Sequence, residues 1–333
     1  MHSITDVKGI KVGNAEDLIG ATGCTVIIIE NGAVCGVDVR GGAPGTRETD
    51  LLDPVNLVEK VHAIYIGGGS AFGLDGASGI MKYLEEKRIG FDTGIVRVPI
   101  VPGAIIFDLG VGSPFVRPDK EMGYRACLNA KDEFSKQGNI GAGAGCTVGK
   151  AFGMGQCMKA GLGIESIKVG ELIVGALAVV NAFGDIVDPE TNSIIAGALS
   201  PDKKSFLNTE EFIIHGNVKE TPFKNTTIGV VATNAKLTKA MAKRVAMMAQ
   251  DGIARTIRPA HTMFDGDTVF ALSTGEVEED VSRIGIIAAK MLEKAIVNAV
   301  KNADSLFGIT AYKDLKNFRE SNPVILVKKT EEV

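Results

Sequence analysis

The sequence has little cysteine and no cysteine pairing pattern. Its five cysteines, at positions 24, 35, 127, 146 and 157, are odd in number and include no Cys-x-x-Cys. That excludes a disulfide framework and a zinc site built on paired thiols. Excess positive charge is also absent. The net charge is −4 with a pI of about 5.7, and no basic stripe occurs, so nucleic acid is not an expected partner. Long hydrophobic runs are missing too. The longest apolar stretch, 172–183, is too short to span a bilayer and contains Asn181, so no membrane association is expected. The opening Met1-His2-Ser3-Ile4-Thr5-Asp6 does not read as a secretory signal. There is no internal repeat and no low-complexity tract. These absences leave a soluble, cytoplasmic protein as the expectation.

What is present supports a large core. Hydrophobic residues make up 45% of 333, which suits one large layered domain over 1–333. The 41 glycines lie between apolar runs, so they point to tight turns and close backbone packing rather than linkers. Two glycine loops imitate nucleotide-binding signatures and fail as such. In Gly67-Gly68-Gly69-Ser70 the spacing is not G-x-G-x-x-G, because Phe72 takes the last glycine position. The loop instead lets backbone N–H groups or Ser70 approach a neighbouring strand or a substrate. In 140–150, Ala144 replaces the first glycine of a phosphate loop and Ala151 replaces its magnesium-binding Ser or Thr.

Local patterns predict the elements. Residues 24–30 and 33–40 flank Asn31-Gly32 and predict a hairpin. The glycine loop 41–45 follows, with Arg40, Arg47, Glu48 and Asp50 as either a salt-bridged loop or a wall of a site or subunit contact. Helical spacing covers 71–88 and 278–303. Strands are predicted over 57–66, over 96–106 with breaks at Pro99 and Pro102, over 151–160 and over 167–180, where Asn181 closes the last one. Segment 201–224 is polar and irregular and reads as an exposed linker. The tail carries one short apolar run, 324–327.

The most informative stretch is Asn225-Thr226-Thr227-Ile228-Gly229-Val230-Val231-Ala232-Thr233-Asn234-Ala235. Its β-branched residues predict a buried strand. Asn234 reads as the N-cap of a helix over 235–250 with Leu237, Met241, Val245 and Met248 as its core face. Thr226 has two readings. One is an ordinary strand start. The other is a self-cleaving nucleophile: the chain breaks after Asn225, and Thr226 then carries a hydroxyl and a free α-amine, a built-in base with a reference pKa of about 7.7–8.0. A linker running into Thr226 suits a cut whose new ends must separate. Asp265-Gly266-Asp267 is open in the same way. It reads as a metal-ligand pair or a turn, or, if extended, as two carboxylates on one side facing one site. No calcium-loop spacing accompanies it, which counts against metal. Taken alone, Lys150 reads as a surface lysine, and Asn181 as a turn cap or a hydrogen-bond donor into a site.

The motifs 37–50, 67–75, 180–185, 225–235 and 265–271, in that order along the chain, resemble the family of L-aminopeptidase/D-esterases, β-aminopeptidases and nylon-oligomer hydrolases. The resemblance runs from about Gly23 to the helix after Gly275. It implies an α/β fold, a four-layer α/β/β/α sandwich of the N-terminal-nucleophile type shared with ornithine acetyltransferases. It implies self-cleavage between Asn225 and Thr226 into 1–225 and 226–333. Thr226 would be the nucleophile, Asp265 and Asp267 its acidic partners, with Lys150 and Asn181 in the catalytic pocket. Gly69, Ser70 and Phe107 would contact the substrate, a short peptide, an amino-acid amide or a 6-aminohexanoate oligomer. No metal or organic cofactor is called for, and a homotetramer of cleaved units is implied. The chain departs from the aminopeptidase branch, which has serine as nucleophile and a Ser/Glu pair in place of the two aspartates. It departs from the nylon-hydrolase branch at Phe107, where a tyrosine hydroxyl is missing. Two alternatives stay open: an acyltransferase of ornithine acetyltransferase type, though its Ala-Thr-Met-Leu cleavage motif is absent, and a non-catalytic homologue.

Overall fold

Lys11–Asp17 (β1) and Thr22–Val39 (β2) begin the main sheet. A computed structural model describes residues 2–133, 136–216 and 225–315. Lys60–Gly67 (β3), Gly103–Ile105 (β4), Leu162–Val169 (β5), Leu172–Asn181 (β6), Thr226–Ala235 (β7) and Thr268–Val277 (β8) complete its principal strands. The order is β5–β6–β7–β8–β2–β3–β4, ending on the short strand Thr46–Arg47, with β1 paired to β2. Pairings β7–β8 and β3–β4 are parallel; the other principal ones are antiparallel.

β2 belongs to two sheet portions. Its first half pairs with β1, its second half with β8, and β3 runs along both. The expected hairpin at Asn31-Gly32 is therefore not formed. Both flanks of the turn pair with β3, with an irregularity between Ile28 and Ala33, and Gly32 at φ +68° absorbs it as a bulge. Gly76–Glu86 (α1) and Lys120–Leu128 (α2) pack outside the first portion, where Ala77, Ile80, Leu84, Met122 and Ala126 meet Val26, Ile28, Ala63 and Tyr65. Lys239–Thr256 (α3) and Val281–Lys301 (α4) cover the second. Between the sheet portions, Ile27, Ile64, Ile66 and Ile106 share one apolar core with Leu162, Val179 and Val230. The layering is α/β/β/α.

Other boundaries moved for identifiable reasons. β7 continues through Asn234, whose side chain bridges the Ile173 N–H (2.8 Å) and the Glu171 carbonyl (2.8 Å) of β6 and its turn. Thr238, not Asn234, caps α3, accepting from the Met241 N–H at 3.3 Å. The buried face of α3 is Ala242, Val245, Ala246, Ala249 and Ile253, and Met241 is exposed. The predicted 167–180 strand is broken: it takes in the last residues of β5, the tight turn at Gly170 and most of β6. No strand covers 151–160; Thr147–Val148 pairs with Met158–Lys159 around a turn. The linker reading holds a one-and-a-half-turn helix at Thr209–Ile214; its 217–224 portion and the 324–327 run lie outside the described residues.

Candidate active site

Thr226 opens β7 at the sheet's centre. Its register partner across β6 is Asn181, the last residue of that strand. On the other side Asn225 bridges Asp265, in the loop that leads into β8. Three segments remote in sequence therefore converge because β6 ends beside the starts of β7 and β8. The residues around the expected cut and its chemistry are buried: Asn225, Thr226, Lys150, Asn181, Asp265 and Asp267 are each at most 5% exposed, while Ser70 and Phe107 are partly exposed.

The Thr226 Oγ1 donates to the carbonyl of Asn225, the residue it would cut from. The Gly266 N–H donates to the same carbonyl at 3.1 Å. Gly266 must be glycine here, since a Cβ on it would sit 2.8 Å from both Thr226 Oγ1 and the Ala43 carbonyl. The Asn225 side chain donates to the Phe264 carbonyl at 3.3 Å, and its buried Oδ1 has no partner among the described residues.

The two carboxylates are held by a matched set of donors. Asp265 Oδ1 accepts from the Phe183 N–H (3.2 Å), and its Oδ2 from the N–H (3.1 Å) and hydroxyl (2.6 Å) of Thr262. Asp267 Oδ1 accepts from the Thr227 N–H (2.7 Å), and its Oδ2 from the N–H (3.1 Å) and ring Nδ1 (2.9 Å) of His261. Burial, and then repulsion from Asp267, raises the Asp265 carboxyl to about 6.

Lys150 follows Gly149, whose backbone takes φ +71° where a Cβ would collide with the Gly197–Ala198 backbone. The N–H groups of Gly149 and Lys150 bond to the Gly184 and Phe183 carbonyls (both 3.0 Å), which carries the lysine beneath Asn181. Its Nζ donates to the Asn181 Oδ1 (2.9 Å) and backbone carbonyl (3.0 Å). Burial lowers its pKa to about 8. With the Thr147 N–H (3.1 Å), Lys150 fixes the amide oxygen of Asn181. The Nδ2 end therefore points the other way, donating to the Phe107 carbonyl at 2.9 Å.

Phe107 leads to the glycine loop. Ser70 N–H donates to the Ile106 carbonyl (2.9 Å), and Ile106 N–H to the Gly67 carbonyl (2.8 Å). The Gly69 N–H donates to Asp108 Oδ1 at 2.7 Å, while Asp108 Oδ2 accepts from the Thr22 hydroxyl at 2.7 Å. A loop that imitates a phosphate cradle thus binds an anion of its own chain. Thr226, Asp265, Asp267, Lys150 and Asn181 come together, and Gly69, Ser70 and Phe107 join them through the Asn181–Phe107 bond. Sequence reasoning missed His261, Asp108 and Lys159. The last is fully buried, with its ammonium on the Gly143 (3.2 Å) and Ala160 (2.6 Å) carbonyls and its pKa lowered by burial to about 8. Each is a single residue outside any pattern; the only signal in the sequence for His261 is its place four residues before Asp265.

The fold is that of N-terminal-nucleophile hydrolases. The solved L-aminopeptidase/D-Ala-esterase/amidase of Ochrobactrum anthropi superposes with a TM-score of 0.70 over 96% of this chain and 93% of its own, at 17% identity. A β-aminopeptidase of a Burkholderia species superposes at 0.68 over 97% and 95%, at 20% identity. Residues 2–313 match peptidase family S58, and the chain belongs to that family and is a hydrolase of peptide bonds. An uncharacterized aminopeptidase of Mycobacterium tuberculosis is 43% identical over 95% of this chain and 98% of its own length. A 6-aminohexanoate-oligomer endohydrolase of a Kocuria species is 29% identical over 89% and 85%. Among the described residues no helix is long and apolar enough to cross a membrane.

Proposed function

We propose that the protein cuts its own chain between Asn225 and Thr226 and then hydrolyses short amides through the Thr226 hydroxyl. The observation that carries this reading is the Asn225 carbonyl, which receives both the Thr226 hydroxyl and the Gly266 N–H. In the uncut chain Oγ1 attacks that carbonyl carbon, and the Gly266 N–H stabilises the oxyanion. The proton of the hydroxyl passes to the Thr226 nitrogen, the C–N bond breaks so that the amine is freed as the ester forms, and water then hydrolyses the ester and releases residues 1–225. In the mature enzyme Oγ1 attacks a substrate amide and the freed α-amine takes its proton. The positive charge of Lys150 helps keep that amine neutral. The Asn181 amide, aimed by Lys150 and Thr147, stabilises the new oxyanion. Asp265 and Asp267 hold the amine and orient the hydroxyl. Water then hydrolyses the acyl-enzyme.

The substrates we propose are short peptides, amino-acid amides or 6-aminohexanoate oligomers. The family resemblance also supports a homotetramer of cleaved units, and the composition supports a cytoplasmic location. The test is product analysis with an amino-acid amide and a 6-aminohexanoate oligomer, with and without an added amine. The expected products are the free acid and amine, with none from Thr226→Ala. Full activity in Thr226→Ala would overturn the reading, and preferential capture by the added amine would make the protein an acyltransferase.

A further inference from the structure

His261 lies outside every motif in the sequence, yet it touches the acidic pair. Its ring Nδ1 is 2.9 Å from Asp267 Oδ2, and its backbone N–H is 3.1 Å from the same oxygen. Its backbone sits at φ +56°, a left-handed conformation uncommon for a residue with a side chain. The ring is largely buried, 19% exposed, and its buried Nε2 has no hydrogen-bond partner among the described residues. Because Nδ1 faces a carboxylate oxygen, the neutral ring carries its proton there.

Each carboxylate has two backbone N–H donors and one side-chain donor, and they differ in what that side chain is. Asp265 is held by two backbone N–H groups and a hydroxyl from its own loop and from Phe183. Asp267 has two backbone N–H groups and one side chain, the imidazole. Two carboxylates two residues apart, both buried, repel each other, so each must be tied down to keep its place. We propose that His261 is the positioning residue of the acidic pair. Its Nδ1–H holds Asp267 Oδ2 so that Oδ1 stays on the Thr227 N–H, one residue from the nucleophile. No proton is transferred in this role, and the imidazole touches neither substrate nor scissile bond.

This inference rests on the hydrolase reading, and the test separates the two. His261→Ala, His261→Asn and His261→Leu are compared with the wild type for the rate of self-cleavage and for kcat and KM on an amide the wild type hydrolyses. Melting temperature reports folding. His261→Ala is expected to lower the cleavage rate and kcat by about 10- to 100-fold, as loss of supporting-shell hydrogen bonds commonly does, with KM within about twofold. His261→Asn keeps a side-chain N–H within reach of Asp267 and should recover most of the loss; His261→Leu keeps bulk without the donor and should not. If His261→Ala fails to fold, the Asn and Leu variants decide between them. Wild-type rates in His261→Ala, or equal rates in the Asn and Leu variants, would overturn the proposal. A wild type that is uncut and inert would instead defeat the hydrolase reading itself.

Discussion

Gly266 is a position beside the nucleophile that tolerates little change. Adding a single methyl places it 2.8 Å from Thr226 Oγ1 and from the Ala43 carbonyl, closer than carbon and oxygen approach without displacement. Gly266→Ala should fold but stay uncut, which intact-mass analysis will show; complete cutting would mean that Oγ1 does not work from its present position. Asn181 gives a second prediction. If its amide holds the oxyanion, Asn181→Ala should lower kcat by about 10²- to 10³-fold, measured as amide turnover. A third concerns pH. Asp265 keeps its proton below about 6 and is ionised above it; the role proposed for it, orienting the hydroxyl, calls for the ionised, acceptor-only form. Self-cleavage of freshly refolded uncut chain should therefore rise with pH through about 6 and then level off. Asp267→Asn removes the neighbouring charge and should move that rise to lower pH. At this scale the sequence pointed to Thr226, Asp265 and Asp267, which the fold brings together, because side-chain type and family motif coincide there. It was silent on His261 and Asp108. Their roles depend on which backbone N–H groups and carboxylates the fold aims at them, and no spacing rule encodes that.

Glycine decides how closely the helices seat on the sheet. In β5, a Cβ on Gly163 would run into the backbone of Ala295 and Ala299 in α4. Gly163→Ala should therefore destabilise the protein by about 1–3 kcal/mol through overpacking, read as a lowered melting temperature. An unchanged melting temperature would show that α4 can shift without cost. The elements most legible in the sequence were α4 and β7, with strong periodicity or a dense β-branched run. Asn31-Gly32 misled because the same dipeptide serves a hairpin turn and a bulge. Which one forms depends on whether the flanking strands pair with each other or with β3, a choice made by tertiary contacts. Asn234 misled for a related reason: its side chain satisfies the β6 backbone rather than a helix end.

The proposed cut falls in an unusual place in the whole molecule. β7 and β8 belong to 226–333, yet β7 pairs with β6 and β8 pairs with β2, both from 1–225. The second fragment would be clamped between strands of the first, with α4 packed across β5 and β6. The layered architecture was legible from alternating helices and β segments, but this interleaving was not, because strand order is not written in local sequence. The account rests on that cut. N-terminal sequencing of natively purified protein, eluting as one species, should give two starts in equal amounts: the native N-terminus and Thr226-Thr227-Ile228-Gly229. The Thr226→Ala protein should give only the first. A Thr226→Ala chain that still opens at that bond, or an active wild type with the bond intact, would contradict the account.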